Sequence, residues 1–352
     1  MKALVLVANG ELELQEVPRP EPAEDECLLA VKGAGICNSD ISRAYDGGAY
    51  FYPLIMGHEF CGVVEAIGSA VTKFKPGDRV AAFPLMPCNE CEYCHKENYA
   101  QCVNYDYYGS RRAGAFAEFI AVREWNLFAI PQTVSFAEAA LLEPVAVAFH
   151  ALGKTSVGKT DSVAIFGAGI IGLALASYLL TNKVTQGPVF VIDHNEFKLS
   201  IAAGFGARTI NPQRNDNWLQ TLLKDTSGGV NLTIEACGAV STFEQSLQVV
   251  KSHGNVLWLG NIRGDLLLTK QTVSSILRRE LTLYGYWNSK YNQTASDDWH
   301  AALRFIEKNG LRELITHEVS LAEGPQVFAR LKANRSKPAD EKEPILKVVF
   351  KV

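Results

Sequence analysis

Four cysteines stand close together in the chain, with the spacing C-x2-C-x2-C-x7-C: Cys88, Cys91, Cys94 and Cys102. Thiolates at such short intervals can surround one tetrahedral zinc ion. Sulfur would then fill all four coordination positions, so this zinc would be structural. The catalytic chemistry must therefore be sought among other residues.

A second motif indicates a dinucleotide site. The sequence G-x-G-x-x-G directly follows the strand-like run SVAIF and opens an apolar helical run, which is the context this motif requires. Asp193 ends the next strand-like run, VFVID, twenty-one residues after the last glycine. A carboxylate there can accept hydrogen bonds from ribose hydroxyls and would repel a 2′-phosphate, so NAD is expected rather than NADP. The expected cofactor-binding residues are Gly167, Gly169, Ile170, Ile171, Gly172 and Asp193.

Other residues of metal-ligand type lie in three segments, GAGICNSD, PLIMGHEF and LLEPVAVAFH. They supply Cys37, His58, Glu59 and Glu143, a set that suits a catalytic zinc with one position open to substrate. Asp40 can orient the ring of His58 by accepting its other N–H. Each of these residues also has a purely structural explanation, and the spacing alone leaves open whether they converge.

Two kinds of secondary structure must position these groups. Up to about residue 130 the chain reads as short strands punctuated by Gly, Pro and Asp, whereas from Ser162 strands alternate with helices, as in βαβ units of a parallel sheet. Helices are predicted over Asp298–Lys308 and Leu321–Leu331, a loop over ANRSKPADEKE, and a last strand over Ile345–Lys351. The Rossmann-like unit thus interrupts a β-rich domain.

Composition excludes several classes of protein. The 352 residues are 47% hydrophobic and carry a net charge of −4, which gives no general affinity for nucleic acid or anionic membranes. The sequence contains no apolar run of transmembrane length and no recognisable export signal, so a cytoplasmic location with reduced thiols is expected.

The order of the motifs resembles one enzyme family over essentially the whole chain. GICNSD, GHEFCGVVEAIG, KPGDRV, the four-cysteine lobe, LLEPVAVAFHA and VAIFGAGIIG follow one another as in the zinc-dependent medium-chain dehydrogenases/reductases. The resemblance implies an α/β protein in which a doubly wound Rossmann domain, residues 145–286, is inserted into a GroES-like β-rich catalytic domain, residues 1–144 and 287–352. It also implies a cleft between the two domains.

The same resemblance implies the roles of the metal-type residues. Cys37 and His58 would bind the catalytic zinc directly, while Glu59 and Glu143 can each be a ligand or hold the zinc-bound water, with Glu143 slightly preferred. The four clustered cysteines match the structural-zinc lobe, giving two zinc ions per chain. Alcohol dehydrogenases carry a relay histidine where this chain has Ser42, so Ser39, the ribose hydroxyls or a glutamate would have to move the proton.

Glu143, at a position where alcohol dehydrogenases have cysteine, resembles the polyol branch of the family. Stretches such as QCVNYDYYGSRRAGAFAEF further resemble its hexitol-phosphate members, so the expected reaction is NAD-dependent oxidation of a polyol phosphate, foremost galactitol 1-phosphate to tagatose 6-phosphate. Arg fits phosphate bidentately, which makes Arg43 and Arg111 candidates, together with Lys290.

Two other functions remain open from the sequence. One is oxidation of an unphosphorylated polyol of the sorbitol or xylitol type. The other is a zinc-ribbon-like binding protein without enzyme activity, which would have no use for the glycine motif and Asp193. A small-molecule substrate and a homodimer are expected, with a tetramer as the alternative; no nucleic-acid or membrane partner is expected.

Overall fold

The computed structural model describes residues 1–352, apart from the side chain of Ala339. It contains eighteen strands. In chain order they are β1 (Lys2–Ala8), β2 (Glu11–Glu16), β3 (Glu26–Gly35), β4 (Leu54–Ile55), β5 (Glu59–Ile67), β6 (Arg79–Ala82), β7 (Leu85–Met86), β8 (Asp106–Tyr107), β9 (Phe119–Arg123), β10 (Leu127–Ala129), β11 (Val163–Phe166), β12 (Val189–Ile192), β13 (Arg208–Ile210), β14 (Val230–Glu235), β15 (Val250–Trp258), β16 (Thr282–Gly285), β17 (Ile315–Val319) and β18 (Lys347–Phe350).

The α-helices are α1 (Asn38–Tyr45), α2 (Glu92–His95), α3 (Phe136–Ala139), α4 (Leu142–Leu152), α5 (Ile170–Thr181), α6 (Glu196–Gly204), α7 (Trp218–Asp225), α8 (Val240–Val249), α9 (Lys270–Arg278), α10 (Asp298–Asn309) and α11 (Gly324–Ser336). Short 3-10 helices cover Tyr99–Gln101, Glu124–Asn126, Arg312–Leu314, Leu321–Glu323 and Ala339–Glu341. Across the described part of the chain, no helix has both the length and the apolar character needed to cross a membrane.

The chain divides into two compact units. The first comprises Met1–Ala146, Lys290–Lys337 and Lys347–Val352, and the second comprises Val147–Ser289 and Pro338–Leu346. The segment 338–346 therefore lies with the second unit, whereas the sequence analysis assigned it to the catalytic domain.

The first unit is built on antiparallel strands. Its main sheet has the order β10-β6-β5-β3-β18-β17, with β9 also paired to β3, and β17 runs parallel to β18. The final strand of the chain thus lies inside this sheet, between β3 and β17. Aromatic rings pack the returning segment onto the sheet: Phe83 lies 5.0 Å from Tyr291 and 5.5 Å from Trp299, measured between ring centroids. The Tyr291 hydroxyl donates to the carbonyl of Leu127 at 2.9 Å.

The second unit is a parallel sheet with the order β13-β12-β11-β14-β15-β16. Two of its inner strands, β11 and β12, are buried along their whole length, as expected for a sheet covered on both faces. The order reverses direction at β11, between β12 and β14, which is where doubly wound sheets bind their ligands. The parallel sheet predicted from the alternating sequence pattern is confirmed.

Towards the carboxyl end, the structure corrects two predicted boundaries. The helix predicted from Leu321 begins instead with a 3-10 turn, closed by a capping box between Ser320 and Glu323, and α11 starts at Gly324. This helix then continues to Ser336, so the first residues of the predicted loop ANRSKPADEKE are helical. Near the end of this helix, Arg335 donates to the carbonyl of Asn38 at 2.7 Å.

Candidate active site and metal centres

Cys37 lies where β3 passes into α1. It is the N-cap of that helix, with φ −88° and ψ 155°, and its N–H donates to Asp40 Oδ2 at 3.0 Å. A carboxylate in the first turn suits the positive end of the helix dipole. This local cap fixes the backbone that carries the Cys37 thiol.

Asp40 connects the thiol segment to His58. Its Oδ1 lies 3.3 Å from Nδ1 of His58 and accepts a 3.0 Å hydrogen bond from Nη1 of Arg43. Asp40 is fully buried. Burial would raise its pKa, but the charge and hydrogen bond of His58, followed by the charge of Arg43, outweigh burial and hold the pKa below its usual value. Asp40 is therefore an anion that can fix the orientation of the His58 ring.

His58 and Glu59 come from the turn that starts β5. Gly57 precedes them with φ +98°, and a Cβ on it would lie 2.5 Å from the Phe116 ring, so only glycine fits. The ligand atoms of Cys37, His58 and Glu59 all lie within 4.8 Å of one another. A thiolate, an imidazole and a carboxylate at this separation suit a zinc ion with a further position open.

Glu59 also forms a buried ion pair that the sequence analysis missed. Nζ of Lys347, the first residue of β18, donates to Oε2 of Glu59 and, at 3.0 Å, to the carbonyl of Ile36. The side chains of Lys347 and Glu59 are 3% and 1% exposed. The available signal was a single lysine inside the otherwise apolar run ILKVVF.

Glu143 is buried near these residues but does not belong to the group within 4.8 Å. Its Oε1 accepts from the Tyr107 hydroxyl at 3.4 Å, and the ring of Tyr107 lies 5.8 Å from that of His58. Burial raises the pKa of Glu143 to about 7, with the negative charge of Glu59 adding to the effect and His58 opposing it. Tyr107 was missed because nothing in NYDYYGSRR separates it from the tyrosines beside it.

The four-cysteine lobe is the connection between β7 and β8. All four sulfurs lie within 4.8 Å of one another, with Cys91 Sγ 3.5 Å and Cys88 Sγ 3.9 Å from Cys94 Sγ. Zinc–sulfur bonds of about 2.3 Å would place the sulfurs of a tetrahedral site about 3.8 Å apart. The donor set and its spacing therefore fit a structural zinc. Because β8 carries Tyr107, this lobe also sets the position of the tyrosine that binds Glu143.

The glycine motif forms the turn between β11 and α5. Gly167 has φ +103°, which favours glycine, and a Cβ on Gly172 would overlap the carbonyl oxygen of Gly167, so these two positions require glycine. Gly169 is the N-cap of α5, and Ile170 and Ile171 are its first two residues. Free N–H groups at this helix end are available to a pyrophosphate.

Asp193 lies beside the glycine turn, at the end of β12. Its two oxygens accept from the N–H groups of Ala168 at 2.8 Å and Asn195 at 2.9 Å. His194 follows it, and Nε2 of His194 lies 3.3 Å from Nζ of Lys342. Burial lowers the pKa of His194, and the charges of Lys342, Lys198 and Arg263 lower it further. Three cations from distant parts of the chain therefore face this corner, and only Lys198 is close to His194 in the sequence.

The three predicted substrate cations have different surroundings. Arg43 donates a hydrogen bond to the buried Asp40, and Lys290 is exposed. Arg111 stacks on the rings of Tyr105 at 4.1 Å and Tyr50 at 5.1 Å, and Tyr105 lies 6.2 Å from the ring of Tyr107. Ser39, the predicted relay residue, is exposed in the first turn of α1. Of these residues, only Arg111 is both partly exposed and linked to His58 by ring contacts, which run through Tyr105 and Tyr107.

Comparisons with known proteins agree with this arrangement. Residues 23–132 match the family model "Alcohol dehydrogenase GroES-like domain", and residues 171–308 match "Zinc-binding dehydrogenase". Galactitol 1-phosphate 5-dehydrogenase of Escherichia coli is 34% identical over 95% of this chain and 97% of its own. Sorbitol dehydrogenase of Bacillus subtilis is 33% identical over 94% and 93% of the two chains.

Two solved structures have the same fold. The crystal structure of galactitol-1-phosphate dehydrogenase from Escherichia coli superposes with a TM-score of 0.89 at 33% identity, covering all of both chains. A zinc-binding dehydrogenase from Sinorhizobium meliloti, solved bound to NADP, superposes with a TM-score of 0.87 at 28% identity, covering 100% of this chain and 99% of its own.

Proposed function

Since this chain belongs to the zinc-dependent alcohol and polyol dehydrogenases of the medium-chain dehydrogenase/reductase family, we propose that it oxidises a secondary alcohol of a polyol phosphate with NAD. The preferred substrate is galactitol 1-phosphate, which would give tagatose 6-phosphate. The observation that carries the proposal is the convergence of Cys37, His58 and Glu59, from two separate segments, within 4.8 Å.

Cys37, His58 and Glu59 would hold the catalytic metal, with Glu143 as the alternative carboxylate. When bound, zinc supplies Lewis acidity that polarises the substrate hydroxyl, and the nicotinamide takes up the hydride. Asp40, whose Oδ1 lies 3.3 Å from Nδ1 of His58, would orient this ring and leave its second nitrogen available to the metal. Tyr107 donates to Glu143 and keeps this carboxyl in place. Glu143 and the exposed Ser39 are the groups we place on the path of the departing proton.

The second metal position would be filled by Cys88, Cys91, Cys94 and Cys102, which gives two zinc ions per chain. All four sulfurs would bind this second zinc and leave it no open coordination position. It would therefore stabilise the lobe and take no part in the reaction.

A phosphate group on the polyol should raise the kcat/KM of its oxidation. We expect galactitol 1-phosphate to be oxidised with a higher kcat/KM than galactitol, sorbitol or xylitol, because charge-assisted hydrogen bonds from Arg111 would stabilise the bound phosphate by about 1.5–3 kcal/mol, or roughly 10- to 100-fold. NADH absorbance measures all four substrates in one assay. A preference for an unphosphorylated polyol would reject the phosphate and leave the sorbitol-type alternative.

Arg112 offers a matched control for that experiment. It is adjacent to Arg111 and also stacks on a tyrosine, Tyr108 at 5.2 Å, but it lies 3.7 Å from Asp106. Arg111→Met should remove the preference for the phosphorylated substrate, and Arg112→Met should keep it.

The carboxylate of Asp193, beside the glycine turn, supports NAD. Asp193→Ser is expected to lower kcat/KM for NAD by about tenfold and to raise it for NADP, because the carboxylate that binds ribose hydroxyls is lost while Lys198, Arg263 and Lys342 remain to attract a 2′-phosphate. Steady-state kinetics with both cofactors measures the change. Asp216→Ser, at an exposed aspartate of the same unit, should leave the ratio unaltered. A wild-type enzyme that prefers NADP would contradict the proposal.

We also propose a homodimer, formed through the second unit. Strand β16 is the edge of the parallel sheet, and the neighbouring helix α9 has no buried residue. Leu267, Leu277 and Leu283 are 85%, 72% and 37% exposed on these elements and the segment before them. An unpaired edge with apolar side chains is the kind of surface that a second copy can extend and cover.

A further inference from the structure

We propose that Lys347 is a positioning residue for the catalytic metal: its ammonium group holds Glu59 and weakens this carboxylate as a metal ligand. The inference rests on the proposed function, because it assumes a metal at Cys37, His58 and Glu59. It also distinguishes the two glutamates, since Glu59 is paired with a cation whereas Glu143 is paired with a phenol.

The site around Lys347 is built for a cation. Its side chain is 3% exposed, yet Nζ has two acceptors, the carboxylate of Glu59 and the carbonyl of Ile36 at 3.0 Å. Gly35 provides the space: a Cβ there would overlap Oε2 of Glu59 and lie 2.9 Å from Cε of Lys347. Burying an ammonium group costs free energy unless it is paired. Lys347 therefore depends on the carboxylate of Glu59 and the carbonyl of Ile36 to stay in this position.

Lys347 reaches both ligand segments from a third one. Ile36, whose carbonyl it binds, directly precedes Cys37, and the N–H of Ile36 donates to the carbonyl of Val348 at 3.0 Å. The lysine thus fixes Glu59 relative to the thiol across the β3–β18 pairing.

The charge of Lys347 matters for the metal. A carboxylate that shares its negative charge with an ammonium group is a weaker donor to a divalent cation. The metal would therefore keep more of its positive charge for the substrate hydroxyl. A purely structural ion pair would hold β18 in place and leave the ligand strength of Glu59 unaltered.

Cobalt substitution separates these two roles without any substrate. Co²⁺ replaces the metal in wild type, Lys347→Met, Lys347→Arg and Cys37→Ser, and subtraction of the Cys37→Ser spectrum isolates the catalytic site. In Lys347→Met we expect the d–d absorption to change and the dissociation constant for Co²⁺, from chelator competition, to fall by about tenfold. Lys347→Arg should retain the wild-type spectrum. An unaltered spectrum and affinity in Lys347→Met would overturn the inference.

Glu59→Gln and the double variant Glu59→Gln/Lys347→Met cover the case in which Lys347→Met does not fold, since the double variant buries no charge at either position. If Lys347 acts through Glu59, the two variants have equal Co²⁺ affinities, because a neutral amide gives the lysine nothing to weaken. A further tenfold change on adding Lys347→Met would overturn the inference. Failure of Cys37→Ser to lose metal would instead reject the proposed function.

Discussion

The Cys37→Ser variant is expected to contain one zinc ion per chain instead of two and to have a kcat/KM lower by at least about a thousandfold. A metal Lewis acid contributes several kcal/mol to such a reaction, and each 1.36 kcal/mol corresponds to a tenfold change in rate. The fold should survive, because serine is also a favourable N-cap for α1. Metal analysis, circular dichroism and NADH formation measure the three properties.

Cys27→Ala is the control for the loss of a cysteine. Cys27 is buried in β3, the strand that leads to Cys37, and burial raises the pKa of its thiol to about 11, so it is an unreactive core residue. This variant should keep both zinc ions. Full activity in Cys37→Ser would mean that the proposed catalytic site is wrong.

The Cys91→Ser variant is expected to lose the other zinc and to unfold more easily. Structural zinc sites contribute folding free energy outright, and a loss of several kcal/mol lowers the melting temperature of a chain this large by roughly 5 °C. Serine keeps the N-cap of α2, so the effect isolates the lost thiolate. Differential scanning calorimetry with metal analysis gives both values. Activity should fall as well, because the lobe ends at the strand that carries Tyr107.

Glu92→Gln tests whether any change in the lobe would have the same effect. Glu92 pairs with Lys96 at 3.3 Å on the surface, where an ion pair contributes little to stability. This variant should melt within about one degree of wild type and keep two zinc ions. Equal melting temperatures for Cys91→Ser and wild type would argue against a structural metal.

Sequence reasoning was most successful where the chemistry is local. The glycine motif could be recognised because its turn, its helix and the following acid lie within one βαβ unit. The close spacing of the four cysteines similarly indicated one site without any knowledge of the fold. The parallel sheet followed from the alternation of strands and helices after Ser162.

Long-range partners could not be predicted in this way. Lys347 meets Glu59 across 288 residues of chain, and Lys342 meets His194 across 148. Only the pairing of β18 with β3 and the docking of segment 338–346 on the second unit bring these groups together. The grouping of Glu59 rather than Glu143 with Cys37 and His58 likewise could not be predicted from spacing, because these residues come from three separate segments of the chain.

The place of β18 inside the main sheet has a consequence for biosynthesis. Domains form as units while the chain leaves the ribosome, so Val147–Ser289 can assemble early from one continuous stretch. The first unit has to wait, since a strand between β3 and β17 is missing until residue 350 has been translated. Until then Glu59 lacks its lysine partner. In a nascent or prematurely terminated chain the main sheet of the first unit would have an open, aggregation-prone edge, and the second unit would lack the segment 338–346.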